Sequence, residues 1–217
     1  MNAASPRPRT DPSFWDKIAQ KYSQKPVDDP EAFERKIAIT KRLLRPDSRV
    51  LDVGCGTGSL ALILGPDAGE VHGLDFSPEM VRIATSKRDA QGADNVHFHC
   101  GTIHETEAFE PDSLDVLMAF SLLHLVPDRA ATLARFRELL VPGGHFVSST
   151  VCLKGGLVPY SLLLGVMKLF GQAPPVWVVG HEQMVAEFEA AGFVDVQVHD
   201  VGSKNGQVLF VTATNPA

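Results

Sequence analysis

The segment Val50-Leu51-Asp52-Val53-Gly54-Cys55-Gly56-Thr57-Gly58 sets three glycines at alternate positions directly after an apolar run. Glycine at this spacing is needed where a β-carbon would block a ligand or where φ must be positive. The chain must therefore turn sharply from a strand into a helix here, with its backbone open to close approach and the helix start, near Thr57, directed at the same place. Little else in the sequence restricts the fold so much.

From Arg49 onward, short β-branched runs alternate with stretches of helical period, the pattern of a parallel sheet covered by helices on both faces. Strands are expected at Arg49 to Val53, Val71 to Leu74, Asn95 to Cys100, Leu114 to Phe120 and His145 to Val151. Helices are expected from near Thr57, from Pro78 behind a Ser77 cap, over Pro127 to Leu140, and over Glu182 to Ala191. Gly143 and Gly144 read as the turn into the fifth strand, and Val194 to Val198 and Val208 to Thr212 as a closing antiparallel pair. Five strand-helix units and a hairpin make a mostly parallel, seven-stranded open α/β sheet, with ligands at the carboxyl ends of its strands. Residues 13–217 form one domain in this reading, preceded by a disordered arm over 1–12 and carrying a helical lid over 13–45 and an insertion over 152–180.

Composition excludes several function classes. A net charge of −6, with no long basic block, argues against nucleic acid as the main partner. Cys55, Cys100 and Cys152 are too few and too scattered for a disulfide framework or a paired-ligand zinc site, which points to a reducing, cytoplasmic setting. No signal-peptide pattern stands at the start, and no apolar run approaches the roughly 20 residues that span a bilayer. A soluble monomer or homodimer is expected.

The glycine spacing separates two cofactor classes. The dinucleotide fingerprint needs glycine at position 59, which is Ser59, and Asp52 would repel a pyrophosphate. The same carboxylate suits the sulfonium and ammonium groups of S-adenosylmethionine (SAM). Asp75, ending the second strand, is placed to accept from both ribose hydroxyls, and Phe76 offers adenine an apolar face. The plainer readings are a tight turn with no ligand and a capping carboxylate.

These motifs resemble those of the class I SAM-dependent methyltransferases, a Rossmann-like fold, and in particular the small-molecule branch that includes ubiquinone and menaquinone biosynthesis enzymes. Val50 to Gly58 matches the family's first motif, Val71 to Met80 its second, Asp115 to His124 its fourth-strand segment and Leu139 to Phe146 its post-helix turn. The resemblance implies SAM as cofactor and S-adenosylhomocysteine as product. It implies that Gly54, Cys55, Gly56 and Gly58 line the cofactor with Asp52, that Asp75 holds the ribose, and that Phe120 or Ser121 borders the methionine end. Many relatives carry an acidic adenine contact after the third strand where this chain reads Gly101-Thr102-Ile103, so Thr102 and Ile103 take that place. The amphipathic stretch Phe14 to Tyr22 resembles a helix that closes over the cofactor, with Tyr22 as its contact; alternatively it packs its aromatics on the sheet.

Methyl transfer is an in-line displacement from a good leaving group, so alignment and water exclusion come first and a base is optional. His124, just past the fourth strand, is the candidate to orient the acceptor or take its proton, against the reading of a loop histidine bonded to backbone. His97 and His99 share one face of the third strand, but no third ligand is evident and no metal is expected. The apolar insertion, with Tyr160, Met167 and Trp177 as candidate lining residues, reads as a lid over a small apolar or aromatic acceptor. A packing helix or dimer contact is the plainer reading, and Leu157 to Phe170 as an interfacial helix would make the protein a membrane-surface quinone or lipid methyltransferase. A SAM-binding regulatory protein without catalysis is the rival from another class.

Overall fold

The computed structural model describes residues 11–152, 176–203 and 206–217. The disordered arm expected over 1–12 lies outside these residues except at Asp11 and Pro12, where Asp11 Oδ1 accepts the Ser13 N–H at 3.0 Å.

Two helices, α1 (Ser13–Gln24) and α2 (Pro30–Lys41), precede the sheet. The sheet then alternates as β1 (Arg49–Val53), α3 (Ser59–Leu64), β2 (Glu70–Asp75), α4 (Pro78–Gln91), β3 (Val96–Cys100), β4 (Leu114–Phe120), α5 (Arg129–Leu139), β5 (Leu140–Val151), α6 (His181–Ala190), β6 (Val194–His199) and β7 (Val208–Thr214). Its order is β3-β2-β1-β4-β5-β7-β6. Every pair is parallel except those of β7, which runs antiparallel to both β5 and β6. The winding reverses between β1 and β4, and open α/β sheets place their ligand crevice at that switch point.

Burial follows the pleat. On one face Leu51, Leu74, Leu117 and Phe146 meet Leu133 and Phe136 of α5 and Phe188 of α6. On the other, Val50, Val71, Val116 and Phe210 meet Ala32 of α2 and Leu60, Ala61 and Leu64 of α3. A smaller cluster joins α1 to α4, with Ala19, Met80 and Ile83 buried beside Trp15 and Ile18. The aromatics of α1 thus reach α4, as Trp15 shows.

Three expectations need correction. β3 is not followed by a helix: residues 101–113 are turns and loop, anchored on the sheet by the buried Phe109. The turn at Gly143 and Gly144 lies inside a longer strand, because β5 pairs with β4 from Leu140 and its register slips before His145. That slip is held by Asn215, whose carbonyl accepts the Gly143 N–H at 2.9 Å and whose N–H donates to the Gly144 carbonyl at 2.8 Å. Finally, α3 begins at Ser59 rather than near Thr57, since Gly58 is its left-handed N-cap at φ +74°.

Candidate active site

The turn after β1 is held by its own hydrogen bonds. The N–H groups of Gly54 and Cys55 both donate to the Leu74 carbonyl, at 2.7 and 3.2 Å, and the Gly58 N–H donates to the Cys55 carbonyl at 3.0 Å. The Gly56 N–H donates to Asp75 Oδ2 at 2.9 Å. These four backbone donors therefore shape the turn, rather than reaching outward.

Two of the glycines do different work. At Gly58, φ +74°, a β-carbon would overlap the Phe98 ring and stand 2.8 Å from Ala84 Cβ, so this glycine admits α4 and β3. At Gly56, φ +53°, the nearest atom to an added β-carbon is Tyr22 Cε1 at 3.7 Å, which leaves open space capped by α1. Across the crevice a β-carbon on Gly54 would come within 2.9 Å of Leu122 Cδ1, so the turn abuts the segment leaving β4. Lys87 braces the far side, its Nζ donating to Thr57 Oγ1 at 3.0 Å and Ser59 Oγ at 3.2 Å.

Asp75 ends β2 and is buried. Its Oδ1 accepts the Ser77 N–H and its Oδ2 the Gly56 N–H, both at 2.9 Å. A carboxylate has about four lone-pair sites, so one remains on each oxygen, the number two vicinal ribose hydroxyls require. Burial raises the Asp75 pKa, with the two N–H bonds opposing it. Asp52, on β1 behind the turn, is 2% exposed, and burial, then the charge of Asp75, pushes its pKa up to about 8. Two buried carboxyls in one pocket favour a cationic ligand, which fits the sulfonium of SAM as the glycine gap at Gly56 and Asp75 fit its nucleoside.

The remaining predicted residues lie around this pocket with varying engagement. Phe76 is half-buried beside Asp75. Thr102 donates its hydroxyl proton to Glu105 Oε2 at 2.8 Å, which leaves its oxygen lone pairs able to accept, and Ile103 is buried in the sheet core. Phe120 packs edge-on to Phe210. Ser121 follows at φ +54°, a costly conformation for a residue with a β-carbon, fixed by its N–H on the Ser149 carbonyl at 2.6 Å. Tyr22 stands 47% exposed over Gly56, its phenol pKa raised by burial and by Asp75 and Asp52 against the opposing Lys25.

His124 lies in a 3-10 turn (Leu123–Leu125) after β4. Its carbonyl accepts the Trp177 N–H at 2.8 Å, so the structure brings these two predicted residues together across 53 positions of sequence (177 minus 124). Burial lowers the His124 pKa to about 4, and its Nδ1 is buried without a hydrogen-bond partner among the described residues. Tyr160 and Met167, with the whole apolar run Leu157 to Phe170, lie outside the described residues. Burial holds the Cys152 thiol up to about 11.

Sequence reasoning missed three participants. Asp16 of α1 reaches Ser77, a contact no local pattern signals. Leu122 fills the space Gly54 leaves. His72 joins His97 and His99 on one face of β2 and β3, its Nδ1 3.1 Å from His99 Nε2 and its Nε2 3.0 Å from Glu70 Oε2. The strand period of two, applied to Glu70 and His72 together, would have found it. Even so, no grouping suited to a metal ion occurs among the described residues.

A sheet that reverses between β1 and β4, with a glycine turn and an acidic β2 terminus at the reversal, defines a Rossmann-like protein that binds a nucleoside-containing ligand. The chain belongs to the methyltransferase-domain family, whose profile matches residues 44–189. It is similar to the ubiquinone biosynthesis O-methyltransferase of Xylella fastidiosa strain M23, 29% identical over 159 residues that cover 64% of each chain. It is also similar to the demethylmenaquinone methyltransferase of Geobacillus stearothermophilus, 30% identical over 189 residues, 76% of this chain and 78% of the relative. The chain thus spans less than two thirds of the first of these relatives. A SAM-dependent methyltransferase from Aquifex aeolicus superposes with a TM-score of 0.68 over 95% of this chain and 99% of its own, at 21% identity, a likeness of fold.

Proposed function

We propose that this protein transfers a methyl group from SAM to a small apolar or aromatic acceptor. The observation that carries the proposal is the pocket at the β1/β4 switch, where buried Asp52 and Asp75 flank a glycine gap open at Gly56. When bound, SAM supplies an electrophilic methyl on a cationic sulfur. The acceptor's lone pair forms the new bond as the carbon–sulfur bond breaks, leaving S-adenosylhomocysteine and a proton from the acceptor.

Within that scheme Asp75 holds the ribose, Asp52 faces the cationic end, and Tyr22 closes the mouth. His124 orients the acceptor. With a pKa near 4 its imidazole is neutral at physiological pH, so it accepts a hydrogen bond from a hydroxyl or amine and is a weak base. Trp177, 37% exposed and tethered to His124, borders the same space. No helix of the described residues is long and apolar enough to cross a membrane.

The acceptor class is read with the relatives in view: one is named as an O-methyltransferase of ubiquinone biosynthesis and the other as a methyltransferase of demethylmenaquinone, which supports a phenol or hydroquinone. Incubation with methyl-labelled SAM and a panel of phenols, hydroquinones, amines and thiols, with and without liposomes, should label a phenolic acceptor. SAM bound tightly but turned over with none of them, or with a cell extract, would overturn the enzymatic reading. Label transferred only with liposomes would favour a membrane-surface enzyme.

A further inference from the structure

The amino-terminal helix is tied into the pocket by a closed ring of contacts. Ser77 Oγ donates to Asp16 Oδ1 at 2.5 Å, and the Glu79 N–H donates to the same oxygen at 3.2 Å. Ser77 is also the cap of α4, its Oγ accepting the Met80 N–H at 3.2 Å, while its own N–H goes to Asp75 Oδ1. From Asp75 the path continues through Oδ2 to the Gly56 N–H, and above Gly56 stands Tyr22, back on α1. Asp16 and Tyr22 are six positions apart on one helix, about 9 Å along its axis. A single rigid element thus touches the ribose-side carboxylate's neighbour at one end and the glycine gap at the other.

The ring mixes polar and apolar anchoring. Ala19, midway between the two contacts, is fully buried against Met80 and Ile83. Lys17, Lys21 and Lys25 carry the outer face toward solvent. Asp16 also adds its negative charge to the field at Asp75.

We infer that Asp16 is a positioning residue: its bond to Ser77 latches α1 so that Tyr22 closes over a ligand held by Asp75 and the Gly56 gap. The inference rests on the pocket being the SAM site. Asp16 touches no reacting atom, and its effect is on how long the ligand stays. Breaking the latch leaves the sheet intact and frees one end of α1, so dissociation should quicken more than association slows.

The test is the SAM dissociation rate measured by stopped-flow on the full chain. Asp16→Ala should raise it about 10-fold, on the order of one lost charge-assisted bond. Tyr22→Ala should raise it similarly, and the double variant no more than the larger single effect, because both act through one lid. Asp16→Asn, which still accepts from Ser77, should recover most of the loss. Trypsin cleavage at Lys17 and Lys21 of the unaltered protein needs no variant, and saturating SAM should slow it at least ~10-fold. Unchanged dissociation in Asp16→Ala, fully additive effects with Tyr22→Ala, or cleavage indifferent to SAM would each overturn the latch. Failure of the unaltered protein to bind SAM at all would instead overturn the cofactor reading beneath it.

Discussion

Asp52 makes the pH dependence of cofactor binding calculable. In the free protein its carboxyl has a pKa of about 8, because it is buried and faces Asp75. A cationic ligand binds the ionised form, so the apparent association constant follows the ionised fraction, about 1% at pH 6.0 and about 24% at pH 7.5. SAM affinity should therefore rise about 25-fold across that range, ~1.9 kcal/mol, below the pH at which the ligand's own amino group titrates. The sign for stability is opposite. A folded-state pKa raised above the unfolded value gives stability that is full below about 4 and is lost as pH rises through about 8, so the unliganded protein should weaken by ~2 kcal/mol from pH 6.0 to 7.5. Asp52→Asn should abolish both slopes, binding SAM weakly at every pH while being more stable than the parent at pH 7.5. Isothermal calorimetry in buffers of different ionisation enthalpy, with close to one proton released on binding near pH 7, and urea denaturation at each pH measure these quantities. Affinity flat between pH 6.0 and 7.5, or stability rising with pH in the parent relative to Asp52→Asn, would refute the reasoning.

The glycines give a paired test by urea denaturation: Gly58→Ala should cost about 3 kcal/mol, from a left-handed φ and the collision with Phe98 and Ala84, whereas Gly56→Ala should cost about 1 kcal/mol and chiefly impair SAM binding. Burial lowers the pKa values of His72 and His99, the latter also through the charge of His97. Stability from these groups is complete above 6.5 and lost as pH falls through their folded values, so His72→Gln should flatten the acid limb of a stability profile between pH 6.5 and 5. His124→Phe should lower acceptor kcat/KM about 10-fold with SAM affinity retained, and in the parent no rate inflection from this group should appear between pH 6 and 8. Removing one partner of the ion pair between Arg129 and Glu187, whose two contacts of 2.6 and 2.8 Å join α5 to α6, should cost about 2 kcal/mol, read as a shift in thermal midpoint for Arg129→Met.

Much of this protein was legible from short-range pattern. The positions of β1 and β4, the Ser77 cap and the antiparallel last pair follow from pleat period, turn chemistry and capping, which act over a few residues. The glycine turn and its acidic partner were equally plain, because a spacing of glycines is itself a statement about allowed φ and absent β-carbons. What the sequence left open depends on contacts distant along the chain. The slip in β5 is set by Asn215, some 70 residues on; the bare β3–β4 connection is anchored by Phe109 on a histidine-lined face; and Asp16 finds Ser77 only because Ala19 packs on α4. Charge state belongs to the same class, since a carboxyl with pKa near 8 and an imidazole near 4 are products of burial. Local sequence determined which elements form and where a ligand must approach, through propensity and steric allowance; only tertiary packing decided which side chains face that ligand and with what charge.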